Sequence, residues 1–516
     1  MLVSKKHRKL VLHLREPGRV TAIIPTAREF TFKGRRLVAV PHRLDEVRVL
    51  RNIGIDAPAP MDFYYDWPGL YPPFAHQRIT AAFLAMHPRA FCLNGMGSGK
   101  TLAVLWAFDY LRKQGLVRRL LVVGPLSTLE RTWGDEVFRH FPEWNFAAVH
   151  GAREKRHKLL EGDYDVFAIN HDGIKSKETL QRIIAREDID LIVFDELAVF
   201  RNQSTERWKA ANALAKTRQW VWGLTGTPTP NAPTDAYAQI KLVNPSRAPK
   251  HFGQFRDMTM RQLGQFKWVP REGATQVVYD CMQPAVRFAT SDCVDLPPTT
   301  FITREAELTP AQQRAYKEML DRLRAEVAGS QITAVNEAVK LGKLVQICSG
   351  TAYTPDGEVT IPAHTRIELV REIIEEAEGK VIVFVPFTAA LQHVAEALAR
   401  DFTVEVVHGQ TPKAVRDRVF GAFQRAADPR VLVANAAAMS HGLTLTAANV
   451  IVWFAPITSA EVYEQANARI VRPGQKRHTT IVHIEGSAVE RQMYARLQKK
   501  GRMQGLLLDL FRRTNS

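Results

Sequence analysis

The stretch Gly95-Met96-Gly97-Ser98-Gly99-Lys100-Thr101 decides the fold of this chain. It follows a short apolar run that predicts a β-strand, residues 90–93, and precedes a run of helical character, residues 102–111. A glycine-rich turn between a strand and a helix directs backbone N–H groups toward one point, which is an arrangement that binds phosphate. The pattern therefore predicts an α/β fold with a nucleotide-binding loop, in which Lys100 contacts the β/γ-phosphates and Thr101 ligates Mg2+.

One position departs from the strict form of this motif. Asn94 stands where the eight-residue pattern begins with glycine. A glycine-rich turn that binds no ligand is therefore an alternative for this loop when it is considered alone. Residues farther along the chain favour the nucleotide-binding interpretation.

A pair of acidic residues, Asp195-Glu196, follows the continuous apolar run 191–194. Such a run is typical of a buried parallel strand, and ligands bind at the carboxyl ends of strands in open α/β sheets. We expect Asp195 to hold the metal, directly or through water, and Glu196 to orient and deprotonate the attacking water. Acidic pairs also cap helices, so this prediction depends on the phosphate loop that precedes the pair.

A third apolar run, residues 220–224, ends in Thr225-Gly226-Thr227-Pro228, and Asn231 follows closely. Small hydroxyl side chains at the end of a strand can connect a nucleotide site to bound nucleic acid. An ordinary turn is the alternative, because these residue types also favour turns.

Taken in order, these segments resemble the Snf2 family of superfamily 2 ATPases, the double-stranded DNA translocases that include chromatin remodellers and annealing helicases. The resemblance runs from about residue 70 to about residue 510. It implies that Gln77 reads adenine and that the next motif, at residues 121–126, ends near Trp133. It also implies that Asn202 belongs with Asp195-Glu196 in one motif.

The resemblance continues through the second half of the chain. It implies that Gly442 and Gln465 contact the nucleotide, that Arg469 and Arg472 approach it from a second lobe, and that Thr446 joins Thr225, Gly226, Thr227 and Asn231 in coupling the site to DNA. Segments that distinguish Snf2 proteins from other helicase-like ATPases are also in register. They are Asp295-Leu296-Pro297-Pro298, Leu308-Thr309-Pro310 with Gln312 and Tyr316, and residues 344–349.

Two departures from the family pattern affect function. The family usually has Asp-Glu-Ala-His in its second motif, whereas Leu197 and Ala198 fill the last two places here. The histidine that links hydrolysis to the other lobe is therefore missing, which puts tight coupling in doubt. Gly95 also replaces the acidic residue that usually precedes the methionine of the first motif.

Composition agrees with a globular, nucleic-acid-binding protein. The chain has 516 residues with 46% hydrophobic content, and no apolar run approaches the length that spans a membrane. A formal charge of +17 predicts a polyanionic partner, with a generally basic surface as the alternative. Four cysteines without metal-ligand spacing predict no zinc and a reducing cytoplasm, and the N-terminus does not resemble a secretory signal.

Alternating strand and helix patterns predict two parallel-sheet domains and a small β-rich N-terminal module. The resemblance to the Snf2 family implies that these domains are RecA-like lobes with helical protrusions. In the module we expect strands at 9–14, 19–24 and 29–40 and a helix at 45–52. Lys33, Arg35 and Arg36 lie near a hairpin tip that could guide DNA, although the module could equally serve only to cover the first lobe. The expected segments are 1–61 (module), 62–245 (first lobe), 246–362 (protrusion and linker), 363–487 (second lobe) and 488–516 (brace helix).

The favoured interpretation is an ATP- and Mg2+-dependent motor on double-stranded or branched DNA, acting as a monomer in the cytoplasm of a bacterial or virus-infected cell. Fork regression, strand annealing and clearance of bound proteins are the expected activities. A nucleotide-switched DNA-binding scaffold with weak ATPase activity and a conventional strand-separating helicase are the alternatives.

Overall fold

The computed structural model describes residues 1–264, 267–293, 296–328, 334–354, 357–439 and 444–513. These residues form a small antiparallel sheet followed by two larger parallel sheets with helices on their faces. The predicted α/β class with two RecA-like lobes and a small β-rich module is confirmed. Within the described ranges, no helix is both long and apolar enough to cross a membrane.

The N-terminal sheet is antiparallel, with the strand order β1-β2-β4-β3. Its elements are β1 (Leu2–Ser4), β2 (Lys9–Leu12), α1 (Gly18–Thr21), β3 (Arg28–Phe32), β4 (Arg35–Pro41) and α2 (Leu44–Asn52), followed by α3 (Met61–Tyr64). The side chains of Leu10, Leu12, Val38 and Val40 point to one face of the sheet and are fully buried. That face therefore belongs to a core cluster that continues into the first lobe.

The strand expected at 19–24 is wrong, because residues 18–21 form the helical turn α1. Pro17 precedes this turn, and proline is well suited to the start of a helix. Val20 and Ile24, four residues apart, are both buried, whereas Ile23 is half exposed. The apolar residues thus follow a helical spacing in a segment whose β-branched content suggested a strand.

Residues 62–245 contribute six parallel strands to the sheet of the first lobe, in the order β5-β10-β9-β6-β8-β7. They are β5 (Arg89–Cys92), β6 (Arg119–Gly124), β7 (Phe146–Val149), β8 (Val166–Asn170), β9 (Ile189–Phe194) and β10 (Trp220–Leu224). The helices are α4 (Ala75–Met86), α5 (Lys100–Lys113), α6 (Asp135–His140), α7 (Arg153–Glu161), α8 (Lys177–Ala185), α9 (Glu206–Ala215) and α10 (Ala236–Val243). Because β5, β9 and β10 are neighbours, the motifs that follow them meet at one edge of the sheet.

The region from 246 to 362 contributes to both lobes. Its elements are α11 (Phe252–Thr259), β11 (Met260–Gly264), β12 (Lys267–Pro270), α12 (Ala274–Cys281), β13 (Ala285–Val286), α13 (Thr290–Cys293), β14 (Thr299–Glu305), α14 (Pro310–Ala328), α15 (Ala334–Cys348), β15 (Thr351–Thr354) and β16 (Gly357–Thr360). Strand β13 adds to the first sheet beside β5, and β14 is the edge strand of the second sheet. Domain boundaries at 245 and 363 therefore place β13 and β14 outside the two lobes whose sheets these strands extend.

The second lobe is a six-stranded parallel sheet in the order β14-β21-β20-β17-β19-β18. Its further elements are α16 (His364–Glu376), β17 (Lys380–Phe384), α17 (Thr388–Leu398), β18 (Val404–Val407), α18 (Lys413–Arg425), β19 (Val431–Ala434), β20 (Ala448–Trp453), α19 (Ala460–Asn467), β21 (Thr479–Glu485) and α20 (Ala488–Arg513). A buried ion pair at 2.7 Å between Arg366 and Glu490 holds the start of α20 against α16. Helix α20 also contacts α12 and β13.

Candidate functional site

The phosphate loop connects β5 to α5, as predicted. Gly97 and Gly99 have φ angles of +73° and +71°, a region that L-residues with side chains rarely adopt. The Ser98 hydroxyl donates to the carbonyl oxygen of Gly95 at 2.9 Å. The ammonium group of Lys100, the first residue of α5, lies 3.0 Å from the carbonyl oxygens of both Asn94 and Gly95. Lys100 therefore lies on the inner side of the loop, and the half-buried Thr101 follows it in the first turn of α5.

Asn94 has a structural role that explains why it can replace glycine. Its side-chain amide donates to the Thr80 hydroxyl of α4 at 2.8 Å, and its side-chain oxygen accepts from the Phe288 N–H at 2.9 Å. Asn94 is 1% exposed. The residue thus ties the start of the loop to a helix on one side and to the chain after β13 on the other.

The segment after β13 supports the loop from the side. The N–H of Gly95 donates to the carbonyl oxygen of Phe288 at 2.9 Å, and the Thr290 hydroxyl donates to the carbonyl oxygen of Met96 at 3.1 Å. A Cβ at position 95 would lie 2.8 Å from the backbone nitrogen of Thr290. This close approach requires glycine at 95, so Gly95 does not simply stand in for the acidic residue of the family pattern. Sequence reasoning missed this support, because the two segments are about 190 residues apart.

Gln77 lies beside the loop at the N-terminus of α4. Its side-chain oxygen accepts from the Phe74 N–H at 3.0 Å, and its amide donates to the carbonyl oxygen of Gly99 at 3.4 Å. The neighbouring His76 ring contacts the carbonyl oxygen of Ser98 at 2.9 Å. The structure places Gln77 next to the loop, and its contact with adenine stays a prediction.

The two predicted carboxylates lie together at the end of β9. Trp133 donates its indole N–H to Asp195 Oδ2 at 3.1 Å, and the Glu196 N–H donates to Asp195 Oδ1 at 3.0 Å. The His171 ring contacts the Asp195 carbonyl oxygen at 2.8 Å. Glu196 has a φ angle of +50°, which is uncommon for a residue with a side chain and is typical of strained functional sites. Trp133 and His171 therefore orient Asp195, and these two contacts were not predicted.

Burial and neighbouring charges shift the pKa values of both carboxyl groups. Burial raises the pKa of Asp195, and the adjacent Glu196 charge raises it further. Burial also raises the pKa of Glu196, while the positive charges of Lys100 and Arg469 lower it. Lys100 belongs to the first lobe and Arg469 to the second. Cationic groups from both lobes therefore act on the predicted base.

The third predicted segment packs directly on the phosphate loop. The Thr225 hydroxyl accepts from the Thr227 N–H at 3.1 Å, and both threonines are buried. A Cβ at Gly226 would lie 3.6 Å from the carbonyl oxygen of Asn94. Asn231 instead lies in an exposed turn, where its N–H donates to Asp235 at 2.7 Å. The structure thus joins 225–227 to the loop and places Asn231 farther along, outside this contact.

The second lobe presents its two arginines to the loop. Arg469 is 5% exposed, and burial together with the nearby Arg472 charge lowers its pKa to about 10. A Cβ at Gly97 would lie 3.6 Å from Arg472 Nε and 3.3 Å from Pro473 Cδ. Arg472 therefore packs on the phosphate loop across the interface between the lobes.

The other predicted residues of the second lobe are less directly connected to the loop. Gln465 is buried in α19. The Thr446 hydroxyl accepts from the Gln424 amide at 3.1 Å, a contact within the second lobe. Gly442 and Asp295 lie outside the described residues.

Among the residues that the structure describes, three ion pairs connect the lobes around this site. Arg201, six residues after Asp195, lies 3.2 Å from Glu461 in the first turn of α19. Arg131 lies 2.6 Å from Asp417, and Glu130 lies 3.5 Å from Lys413. Because each pair joins a first-lobe residue to a second-lobe residue, the site is formed by two lobes in direct contact.

Comparison with known proteins agrees with this arrangement. The profile of the SNF2-related domain matches residues 90–349, and that of the helicase conserved C-terminal domain matches residues 365–474. The chain is 26% identical to the putative protein p41 of Acyrthosiphon pisum secondary endosymbiont phage 1, over 86% of this chain and 99% of that protein.

Two other similarities concern cellular proteins. Mouse DNA annealing helicase and endonuclease ZRANB3 is 23% identical over 85% of this chain but only 40% of its own length. The Sulfolobus solfataricus SWI2/SNF2 ATPase core in complex with double-stranded DNA is 22% identical, with a TM-score of 0.42 over 86% of this chain and 94% of that one.

The SNF2-related profile alone covers half of the chain, and the helicase C-terminal profile covers most of the second lobe. The chain therefore belongs to the Snf2 family of helicase-like ATPases.

Proposed function

We propose that this protein is an ATP-dependent translocase on double-stranded DNA. The observation that carries the proposal is the position of Arg472 on Gly97 of the phosphate loop, with Arg469 acting on Glu196. Groups that stabilise the transferring phosphoryl group come from one lobe, and the water-activating carboxylate comes from the other. Hydrolysis is then fast only when the lobes are in contact.

The residues of the loop fit a nucleoside triphosphate and its metal ion. Gly97 and Gly99 permit the left-handed backbone turns of a phosphate-binding loop, and Lys100 supplies positive charge beside them. Thr101 and Asp195 offer the oxygen ligands that Mg2+ prefers, and the bound ion would neutralise phosphate charge. Glu196 would orient the attacking water and accept its proton.

Coupling between hydrolysis and lobe movement needs a connection that the family histidine usually provides. Ala198 occupies that position and is fully buried, so it offers no polar link to the second lobe. Arg201, from the same motif, reaches Glu461 in α19 instead. Because Glu461 also raises the pKa of Glu196, this pair connects the second lobe to the catalytic carboxylate. We assign part of the coupling to the Arg201–Glu461 pair.

Double-stranded or branched DNA is the proposed substrate. The formal charge of +17 favours a polyanion, and contacts dominated by phosphates carry little sequence information. The Snf2-specific sequence segments at 295–298 and 344–349 are typical of motors that follow one strand within an intact duplex. The likeness to a protein named a DNA annealing helicase agrees with fork regression or strand annealing as the activity, and clearance of bound proteins follows from the same motion.

The test is steady-state ATP hydrolysis with duplex, forked and single-stranded DNA and with structured RNA, each at several salt concentrations. We expect the greatest stimulation with duplex or forked DNA, a steep decrease with salt, and no turnover by Lys100→Ala or Glu196→Gln. Binding of nucleotide and DNA without turnover would favour a nucleotide-switched scaffold. Preferential stimulation by RNA would contradict the substrate assignment.

A further inference from the structure

The N-terminal sheet has one buried face and one exposed face. Side chains alternate between the faces of a strand. Residues paired across antiparallel strands point to the same face, and Phe30 pairs with Leu37 while Phe32 pairs with Arg35. Buried Leu10, Leu12, Val38 and Val40 occupy the opposite face. We call the exposed side the outer face; its residues are Leu2, Ser4, Lys9, Val11, Arg28, Phe30, Phe32, Arg35, Leu37, Ala39 and Pro41.

Two aromatic rings stand on the outer face. Phe30 is 39% exposed and Phe32 is 57% exposed, and both lie on the edge strand β3. Residues two apart on a strand are separated by roughly 6.7 Å. Half-buried Leu37 and Ala39 of the neighbouring strand continue the apolar surface beside the rings. Because the two rings are exposed to solvent, they do not contribute to the core of the module. Their position therefore indicates a ligand that covers aromatic faces.

The surroundings of the rings are basic. Arg28, Arg35 and Lys9 belong to the outer face, and the Lys33 ammonium lies 5.6 Å from the centre of the Phe32 ring. Among the strand residues of this face, all of which the structure describes, none is acidic. Residues 1–42 contain ten Lys and Arg residues and two acidic residues. The outer face therefore combines aromatic rings with a positive field, which matches the chemistry of a nucleic acid strand.

We propose that the outer face binds single-stranded DNA, with unpaired bases stacked on Phe30 and Phe32 and phosphates contacted by the surrounding Arg and Lys side chains. Sheets with exposed aromatics and basic neighbours bind single strands in this way, because each base offers a flat face whatever its sequence. A duplex buries those faces in its own stack, so the rings discriminate in favour of unpaired DNA. A membrane or an acidic protein surface would also be attracted to the basic side chains. Neither would account for two exposed aromatic rings spaced along one strand.

This assignment deepens the proposed function. It rests on that function only for the source of the unpaired strand. A fork or other branched DNA offers duplex to the lobes and an unpaired arm to the module. The module would then direct the motor to junctions.

The experiment measures binding of the full chain to a fluorescein-labelled oligothymidine and to a labelled hairpin duplex, without nucleotide. The double variant Phe30→Leu/Phe32→Leu keeps apolar area and removes the stacking faces. We expect its affinity for oligothymidine to fall about tenfold or more, while its affinity for the duplex changes by less than about twofold. The double variant Phe30→Tyr/Phe32→Tyr should bind oligothymidine like the wild type.

Two controls isolate the rings. Thr31→Ala lies on the opposite side of the same strand, and Phe138→Leu removes a ring that is 79% exposed, more than either Phe30 or Phe32, from α6 of the first lobe. Both controls should bind oligothymidine like the wild type. Unchanged oligothymidine binding by the double leucine variant, or equal losses for oligothymidine and duplex, would overturn the proposal. These binding measurements contain no nucleotide, so neither contradictory result could arise because the protein is not a motor. The motor function is tested separately, by duplex-stimulated ATP hydrolysis of the wild type.

Discussion

Arg472 of the second lobe packs on Gly97 of the phosphate loop, so that a Cβ at position 97 would lie 3.6 Å from Arg472 Nε. The predicted phosphate-binding loop is thus also a contact surface between the lobes. Any change that pushes the loop and the arginine apart should reduce hydrolysis more than it reduces nucleotide binding.

The substitution Gly97→Ala tests this contact. The added methyl group would lie 3.3 Å from Pro473 Cδ. The backbone of the alanine would also be strained at a φ of +73°. We expect DNA-stimulated hydrolysis to fall at least tenfold. Gly115→Ala is the matched control, because Gly115 has a φ of +72° with nothing within 4 Å. It should cost about 1 kcal/mol of stability and leave hydrolysis intact. Equal effects of the two variants would show that backbone strain, and not the interlobe contact, is responsible.

Replacing the arginines separates chemistry from binding. Arg469→Ala and Arg472→Ala should each lower the turnover number by about 10^3, with the affinity for ATP changed far less, because these groups act on charge that develops during phosphoryl transfer. Stopped-flow binding of a fluorescent nucleotide, measured beside turnover, distinguishes the two effects. A parallel loss of binding and turnover would indicate a folding defect and would leave no evidence for a trans-lobe role.

The Arg201–Glu461 pair should contribute to coupling between DNA binding and hydrolysis. The two side chains are 39% and 16% exposed, so solvent screening limits the pair to about 1 kcal/mol or less. Arg201→Glu and Glu461→Arg should each reduce DNA stimulation several-fold, and the double variant should recover much of it. Independent losses that simply add in the double variant would argue against a direct interaction across the lobes.

The buried His483 predicts a pH dependence of stability. Its ring contacts the Tyr463 hydroxyl at 2.7 Å, and burial lowers its pKa from 6.5 to about 4. The unfolded chain therefore binds an extra proton between these values, and stability that is complete above pH 6.5 is lost as the pH falls toward 4. The decrease in the free energy of unfolding that is due to His483 should approach about 1.4 kcal/mol per pH unit. His483→Gln should flatten the dependence of the melting temperature on pH in that window; an unchanged slope would contradict the assignment.

The elements that carry the site were predictable because each has a strong local pattern. The apolar run 191–194 predicted β9, and the glycine-rich turn with its following apolar residues predicted the start of α5. The segment 19–24 was mispredicted, because its β-branched residues resemble a strand while the burial of Val20 and Ile24 follows a helix. The residue propensities of this segment do not indicate which of its side chains pack against the rest of the protein.

Contacts between distant segments could not be predicted from single-sequence patterns. The hydrogen bond from Thr290 to Met96 and the one from Trp133 to Asp195 join residues that are far apart in the chain. Nothing in the local sequence of Trp133 distinguishes an indole that orients a carboxylate from an indole that only fills a core. The pairing of β13 with β5 brings 287–290 to the loop, and this topology becomes visible only in the folded chain.

The central claim is directed movement along an intact duplex, and one pair of assays tests it most directly. Under identical conditions, ATP-dependent displacement of a third strand from a triplex is compared with unwinding of a duplex that carries a single-stranded tail, with Glu196→Gln as the inactive control. Two phosphate-contacting lobes can advance along a backbone without separating the strands. We predict efficient triplex displacement with little unwinding of the tailed duplex. Efficient unwinding with no triplex displacement would contradict the account and identify the chain as a conventional helicase.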